Sequence, residues 1–178
     1  QSQASRDFSP GPTNTFAINP TASASSGLAV SYVSKTSGVC TVSGTTVTML
    51  AAGTCTIGAN QAGNASFTIA TEVTRDVTIN VVLPGAPVIG TGTAGNNQVT
   101  IAFTAPANTG GTPITGYAAS CTPSGSGSGA VSPIAISGLV NDTAYTCSVR
   151  ASNSVGQGPP SGTVTVTPVQ TPTPPTFT

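Results

Sequence analysis

Tyr145, Cys147, Val149 and Ala151 recur at every second position, with Thr146, Ser148 and Arg150 between them. A strand puts the first set on one face and the second on the other, so this stretch predicts a half-buried strand with a Tyr, Cys, Val, Ala inner side. The run Gly138 to Asp142 just before it carries turn residues. A Tyr placed immediately inside such a strand can bury its ring and bond its hydroxyl back to the upstream backbone. The same parity puts Tyr117, Ala119 and Cys121 on one face of an earlier strand. Thr71 to Leu83 reads as a Thr/Val strand with Glu72 and Asp76 toward solvent, and Ser124 to Gly129 as a flexible Gly/Ser loop.

From Gly138 to Ser161 the chain follows the pattern GLxNxTxYxxxVxAxNxxGxGxxS. In this it resembles the fibronectin type III family, where such a run spans the turn from strand E to F, strand F, the F to G turn and strand G. Val99 to Pro106 is similar to that family's strand B, with Phe103 where the family usually carries a buried Trp, and Ile114 to Tyr117 is similar to strand C. The resemblance covers about 84–168 and implies a β-sandwich with Phe103, Tyr117 and Tyr145 in its core. Pro84 and Pro87 make a stiff pair of the sort that separates modules.

The first part, about 1–83, reads TASASSGLAVSY, then GVCTVSGTTVTMLAAGTCTIGANQAGNASF, then ATEVTRDVTINVV. It resembles the bacterial Ig-like repeats of cell-surface proteins, in which a short Cys strand, a Ser-Gly-Thr turn, a Val-Thr strand, an Ala-Gly turn and a second Cys strand follow one another. The expected architecture is all-β: two tandem Ig-like and fibronectin type III-like sandwiches at 1–83 and 84–168, then a Pro/Thr-rich tail or linker at 169–178. Gln1 to Asn19 is shorter and more irregular than the usual opening strand of such a repeat.

With 178 residues, each sandwich sits near the lower limit for a self-sufficient core, so a covalent staple would help. The four cysteines fall two to a domain. Cys40 is paired here with Cys55, because turns at Gly44 and Gly53 can fold their strands into one sheet. Cys121 is paired with Cys147, since on neighbouring C and F strands both sulfurs share the core face with a Tyr. Such loops are worth about 3 kcal/mol each in the chain-entropy model. The pairs require an oxidising compartment; the alternative is buried free thiols in a cytosolic protein.

Composition narrows the chemistry. The chain has no His and no CxxC, and Asp7, Glu72, Asp76 and Asp142 are its only acids. Histidine-based triads and HExxH sites are therefore impossible, and neither a paired-carboxylate glycosidase nor a zinc, calcium or redox cluster is indicated. No phosphate-binding glycine fingerprint occurs. The expectation is no enzyme, no cofactor and no metal. Zero net charge with only Arg6, Lys35, Arg75 and Arg150 as cations argues against nucleic acid and anionic membranes, and no apolar run approaches membrane-spanning length. Asn64-Ala-Ser66 and Asn141-Asp-Thr143 fit the glycosylation pattern but read as turns. Lys35, the one lysine, reads as a solvated loop residue.

Only 4% of residues are charged, against roughly 25% in ordinary domains. Sheet edges without charges are open to pairing with other chains, and Val164 to Pro168 and Thr71 to Leu83 are expected to be such edges. Phe8, Phe16 and Phe177 are left over from the expected core, to which Tyr32 and Phe67 are assigned, and are the candidate assembly contacts. The tail from Pro168 should be extended and polyproline-like. The leading expectation is a structural subunit or stalk segment of an extracellular bacterial filament, self-associating through sheet edges and extended termini. The alternative is an adhesin or a carbohydrate-binding accessory module meeting a host or matrix surface. The opening at Gln1 fits a mature secreted product or a fragment of a longer chain.

Overall fold

A computed structural model describes residues 4–10 and 14–171. The chain divides into two compact units, Gln1–Val82 with Gly110–Thr112 and Leu83–Thr109 with Pro113–Thr178. Each is a sandwich of two sheets, and no helix occurs among the described residues.

Unit 1 holds β1 (Arg6–Asp7), β2 (Thr15–Ala17), β3 (Ser31–Ser34), β4 (Cys40–Ser43), β5 (Thr46–Met49), β6 (Gly53–Asn60) and β7 (Val73–Asn80). One sheet runs β1-β7-β6-β3 and the other β2-β5-β4. β4 and β5 close a two-residue loop in which Gly44 takes a φ of 58°, the region such hairpins need and glycine adopts at no steric cost. The core lies between the sheets and is built from Val47, Met49, Ile57, Val77 and Ile79, with Cys40 and Cys55 fully buried.

Several expectations change here. Phe8 and Phe16 are not spare: they are 9% and 8% exposed and belong to this core. The irregular opening segment supplies two short strands, β1 parallel to β7 and β2 antiparallel to β5, and both pairings carry a Phe inward. Cys40 and Cys55 sit on strands of different sheets, because β4 pairs only with β5 while β6 turns away to pair with β7 and β3. β1 covers only the Ile79–Asn80 end of β7, so the expected edge at 71–83 is closed at that end, while residues 73–78 pair with β6 alone among the described strands. Phe67 is 49% exposed, held at a loop apex where the Asn64 N–H donates to the Phe67 carbonyl. Tyr32 is half-buried at the rim of the core.

Unit 2 holds β8 (Val88–Gly95), β9 (Gln98–Thr104), β10 (Gly116–Thr122), β11 (Ser126–Gly129), β12 (Ile134–Ser137), β13 (Tyr145–Ser152) and β14 (Val164–Val166). Its sheets run β12-β9-β8 and β11-β10-β13-β14. Alternation along β9 buries Val99, Ile101 and Phe103, and along β13 buries Tyr145, Cys147, Val149 and Ala151. The Gly/Ser run is not a loop: Ser126–Gly129 pairs with β10, its small residues fitting where a Cβ on Gly127 would meet the Ala135 carbonyl. β14 is an edge strand of its own sheet, but its flank packs on β8, so Val164 to Pro168 is less open than its sequence suggests.

The entering and leaving strands run the same way in both units. In unit 1, Arg6 lies opposite Ile79 and Asp7 opposite Asn80 in a parallel ladder, which the Phe8 N–H extends to the Asn80 carbonyl at 3.0 Å. In unit 2, Ile89 approaches Gly162, Gly92 approaches Val164 and Val166, and the Val169 N–H donates to the Gly95 carbonyl at 3.1 Å. Partner numbers rise together, so β8 and β14 are parallel.

Candidate functional site

Among the described residues the side chains that carry chemistry are the sulfurs and the few charges, and unit 1 also holds an apolar cleft. Cys40 is bonded to Cys55 and Cys121 to Cys147, and no free cysteine remains among the described residues. The first bridge joins the two sheets of unit 1. Its Cys40 sulfur accepts from the Ser34 hydroxyl at 3.4 Å. The second spans residues directly opposite each other on β10 and β13, within one sheet of unit 2. A buried thiolate is thereby removed from the chemistry of both units.

In unit 2 the Tyr145 hydroxyl, at the start of β13, accepts from the Val140 N–H at 3.1 Å, and this ties the turn after Gly138 to the core. Phe103 and Tyr117 stack with ring centroids 4.7 Å apart and planes tilted by 52°. Asn141 holds the neighbouring β8–β9 hairpin: its Oδ1 accepts from the Asn97 N–H and its Nδ2 donates to Asn96 Oδ1. Asn64 in unit 1 accepts from the Ser66 and Phe67 N–H groups. Both glycosylation-like triplets thus anchor turns through their asparagines.

Lys35 is not simply solvated. Its Nζ lies 2.8 Å from Glu72 Oε1, and the Asn60 Nδ2 donates to the same oxygen at 3.0 Å. Gly58 lies beneath them, where an added Cβ would displace the Glu72 carboxylate. The hydrogen bond from Lys35, then that from Asn60, holds the Glu72 carboxyl below the usual carboxylate range. Lys35, Glu72 and Asn60 thus form a largely solvent-exposed ion pair with one added amide hydrogen bond. No group of three or more His, Cys, Asp or Glu side chains that could hold a metal occurs among the described residues.

Sequence reasoning missed the cleft of unit 1. Ile18, Tyr32, Ile57, Ala59, Val73 and Arg75 line about 150 Å³ at one end of the β7-β6-β3 sheet. The facing strands are three to four residues long against eight in β6 and β7, so the inner face outruns its cover. Arg75 closes the side by donating to the Pro20 carbonyl at 3.1 Å. That volume is below the roughly 300 Å³ at which small-molecule sites begin. The signal for it was the exposed end of the β7 alternation, Val73, which the local pattern cannot distinguish from a buried Val. Phe177 lies outside the described residues.

Residues 84–167 match the family model for the fibronectin type III domain. This part of the chain is a fibronectin type III domain. The tyrosine–backbone bond and the three-plus-four sheet arrangement belong to it. No curated protein matches the sequence. Among solved structures, the chain is similar to the twitchin kinase region from C. elegans, with 20% identity and a TM-score of 0.44 over 49% of this chain and 17% of that one. It is similar to titin kinase and its flanking domains, with 23% identity and a TM-score of 0.42 over 48% and 17%. A third, domains A168-A170 from titin, gives 16% identity and 0.45 over 95% and 62%. The chain spans less than two thirds of the length of each of these three structures.

The fibronectin type III domain and its companion sandwich suggest a structural or binding module. Two disulfides are consistent with an extracellular or secreted protein, and no helix of the described residues is long and apolar enough to cross a membrane.

Proposed function

We propose that the chain is a structural segment of an extracellular bacterial filament or stalk, built to be strung in series with further copies or modules. The observation that supports this most is the parallel course of the entering and leaving strands within each unit. Each sandwich then takes the chain in at one end and releases it at the other, as an extended fibre requires. A buried disulfide in each unit and only four Lys or Arg in the chain suit a long-lived, protease-resistant extracellular material. Self-association would use uncharged margins: among the described outermost strands only β1 carries charge, besides the Arg75–Asp76 stretch of β7 that β1 leaves uncovered. Phe8 and Phe16 play no part in it, because they are buried. Electron microscopy of the purified secreted protein tests the reading; regular fibres are expected, and uniformly single particles at high concentration would end it.

A second reading, a binding module at an outer surface, is favoured by the exposed Phe67 and Ile69, two large apolar side chains on one loop of unit 1.

A further inference from the structure

The end of unit 1 at which β6 hands over to β7 leaves part of its interior uncovered. Val73 keeps the inward parity of Val77 and Ile79 yet is 68% exposed. Behind it the cleft of about 150 Å³ runs between Ile18, Tyr32, Ile57 and Ala59, with Arg75 as its side wall. An apolar cavity of about this size takes up benzene, so the cleft has room for one aromatic ring although it is too small for an ordinary small-molecule ligand. A second hollow of about 110 Å³, bounded again by Ala22, Ala59 and Val73, continues to Ala70 and Thr71 at the base of the 61–72 loop.

That loop carries a matching part. Phe67 is the most exposed aromatic side chain among the described residues, Ile69 beside it is 73% exposed, and no charged residue occurs from Gln61 to Thr71. Phe67 does not line the cleft of its own unit. Its N–H donates to Asn64 Oδ1 at 3.0 Å and its carbonyl accepts from the Asn64 N–H at 2.8 Å, so filling its own cleft would mean unmaking that turn, whereas a ring from another copy arrives with its loop intact. Ring and cleft lie at one end of the same unit, and a single two-fold axis between copies therefore satisfies both at once. We propose that unit 1 carries a self-recognition contact in which each Phe67 ring enters the cleft of a second copy, beside Arg75. The Arg75 guanidinium, held by the Pro20 carbonyl, attracts a ring face as Arg6 does over Phe16. A fully buried aromatic ring removes about 150–250 Å² from water, so two rings with Ile69 and Val73 around them place the contact at the low end of specific interfaces, below about 1,200 Å². Pairing is weak and concentration-dependent in free solution, and gains when many units lie side by side. The contact goes beyond the filament reading above, since it joins copies laterally and needs no fibre to form.

Sedimentation of the full chain over a concentration series tests this. A monomer–dimer equilibrium is expected, and Phe67→Ala should raise its dissociation constant about a hundredfold, tenfold for each ring lost. Val73→Glu places a charge at the mouth of the cleft and should weaken pairing to a similar degree. Both positions are exposed, and an unshifted thermal midpoint verifies that each variant is folded. Mixing the two variants brings the intact ring of one to the intact cleft of the other, so the mixture should associate more tightly than either variant alone and less tightly than the unaltered chain. The inference is overturned if the unaltered chain stays monomeric up to about 1 mM, if Phe67→Ala leaves the dissociation constant unchanged, or if the mixture associates no better than its components. Lost adsorption of Phe67→Ala to a matrix surface with self-association intact would also overturn it and assign the loop to the binding-module reading. Dimers without fibres in the micrographs would sink the filament reading and leave the pair standing; fibres from a chain that does not pair in solution would do the reverse.

Discussion

Single side chains do two kinds of work in this protein, and they differ in how solvent treats them. The Tyr145 hydroxyl accepts a part-buried backbone bond from Val140. Tyr145→Phe keeps the ring and strips the acceptor, so unfolding in denaturant should show a loss of about 1 kcal/mol with an unchanged slope. The Lys35–Glu72 pair lies open to water and its effect is read through pH. Glu72 titrates below its ordinary value when folded, so the stability it lends is fully present above the unfolded carboxylate pKa, about 4.3, and is lost as pH falls through the depressed folded value. Replacing Lys35→Met should therefore lower the thermal midpoint slightly at neutral pH, and the difference from the unaltered protein should vanish in acid. A difference that persists at acid pH would mean that Lys35 acts through packing of its stem.

Among elements, what the sequence revealed depended on how local each cause was. β13 and the turn before it were legible because alternation, turn residues and Tyr145 fall within some fifteen consecutive positions, a span over which parity alone assigns faces. The opening segment was not. β1 owes its existence to β7, more than sixty residues away, and a two-residue strand has no periodicity to read. Phe8 and Phe16 thus looked spare until that distant pairing turned them inward. The sheet to which β4 belongs was hidden for the same reason, since the turns around it say that strands reverse but not which neighbour each takes. Ser126–Gly129 has the composition of a linker and becomes a strand only because β10 offers it an edge. The corrected place of Phe16 has a measurable consequence. Phe16→Ala should destabilise unit 1 by about 3 to 5 kcal/mol, the usual cost of emptying a buried aromatic site. Calorimetry showing an unshifted transition would return Phe16 to the surface.

Over the whole molecule the sparseness of charge matters more than any one contact. Eight charged groups in 178 residues sum to zero, and two of them already neutralise each other in the Lys35–Glu72 pair. Electrostatic repulsion between copies is therefore weak, and so is electrostatic steering toward any partner. Salt acts on exposed charges through screening, with a Debye length near 10 Å at about 0.1 M, and has little to screen here. Assembly through uncharged Thr, Ser and Val margins should accordingly keep the same particle size by light scattering from about 0.05 to about 0.5 M sodium chloride. Sulfate should enlarge the particles, because it is excluded from protein surfaces and strengthens apolar burial. Dissolution by sodium chloride alone would instead show that the few ion pairs govern contact between copies, and the search for the interface would move to Arg6, Asp7, Arg75 and Asp76 on unit 1.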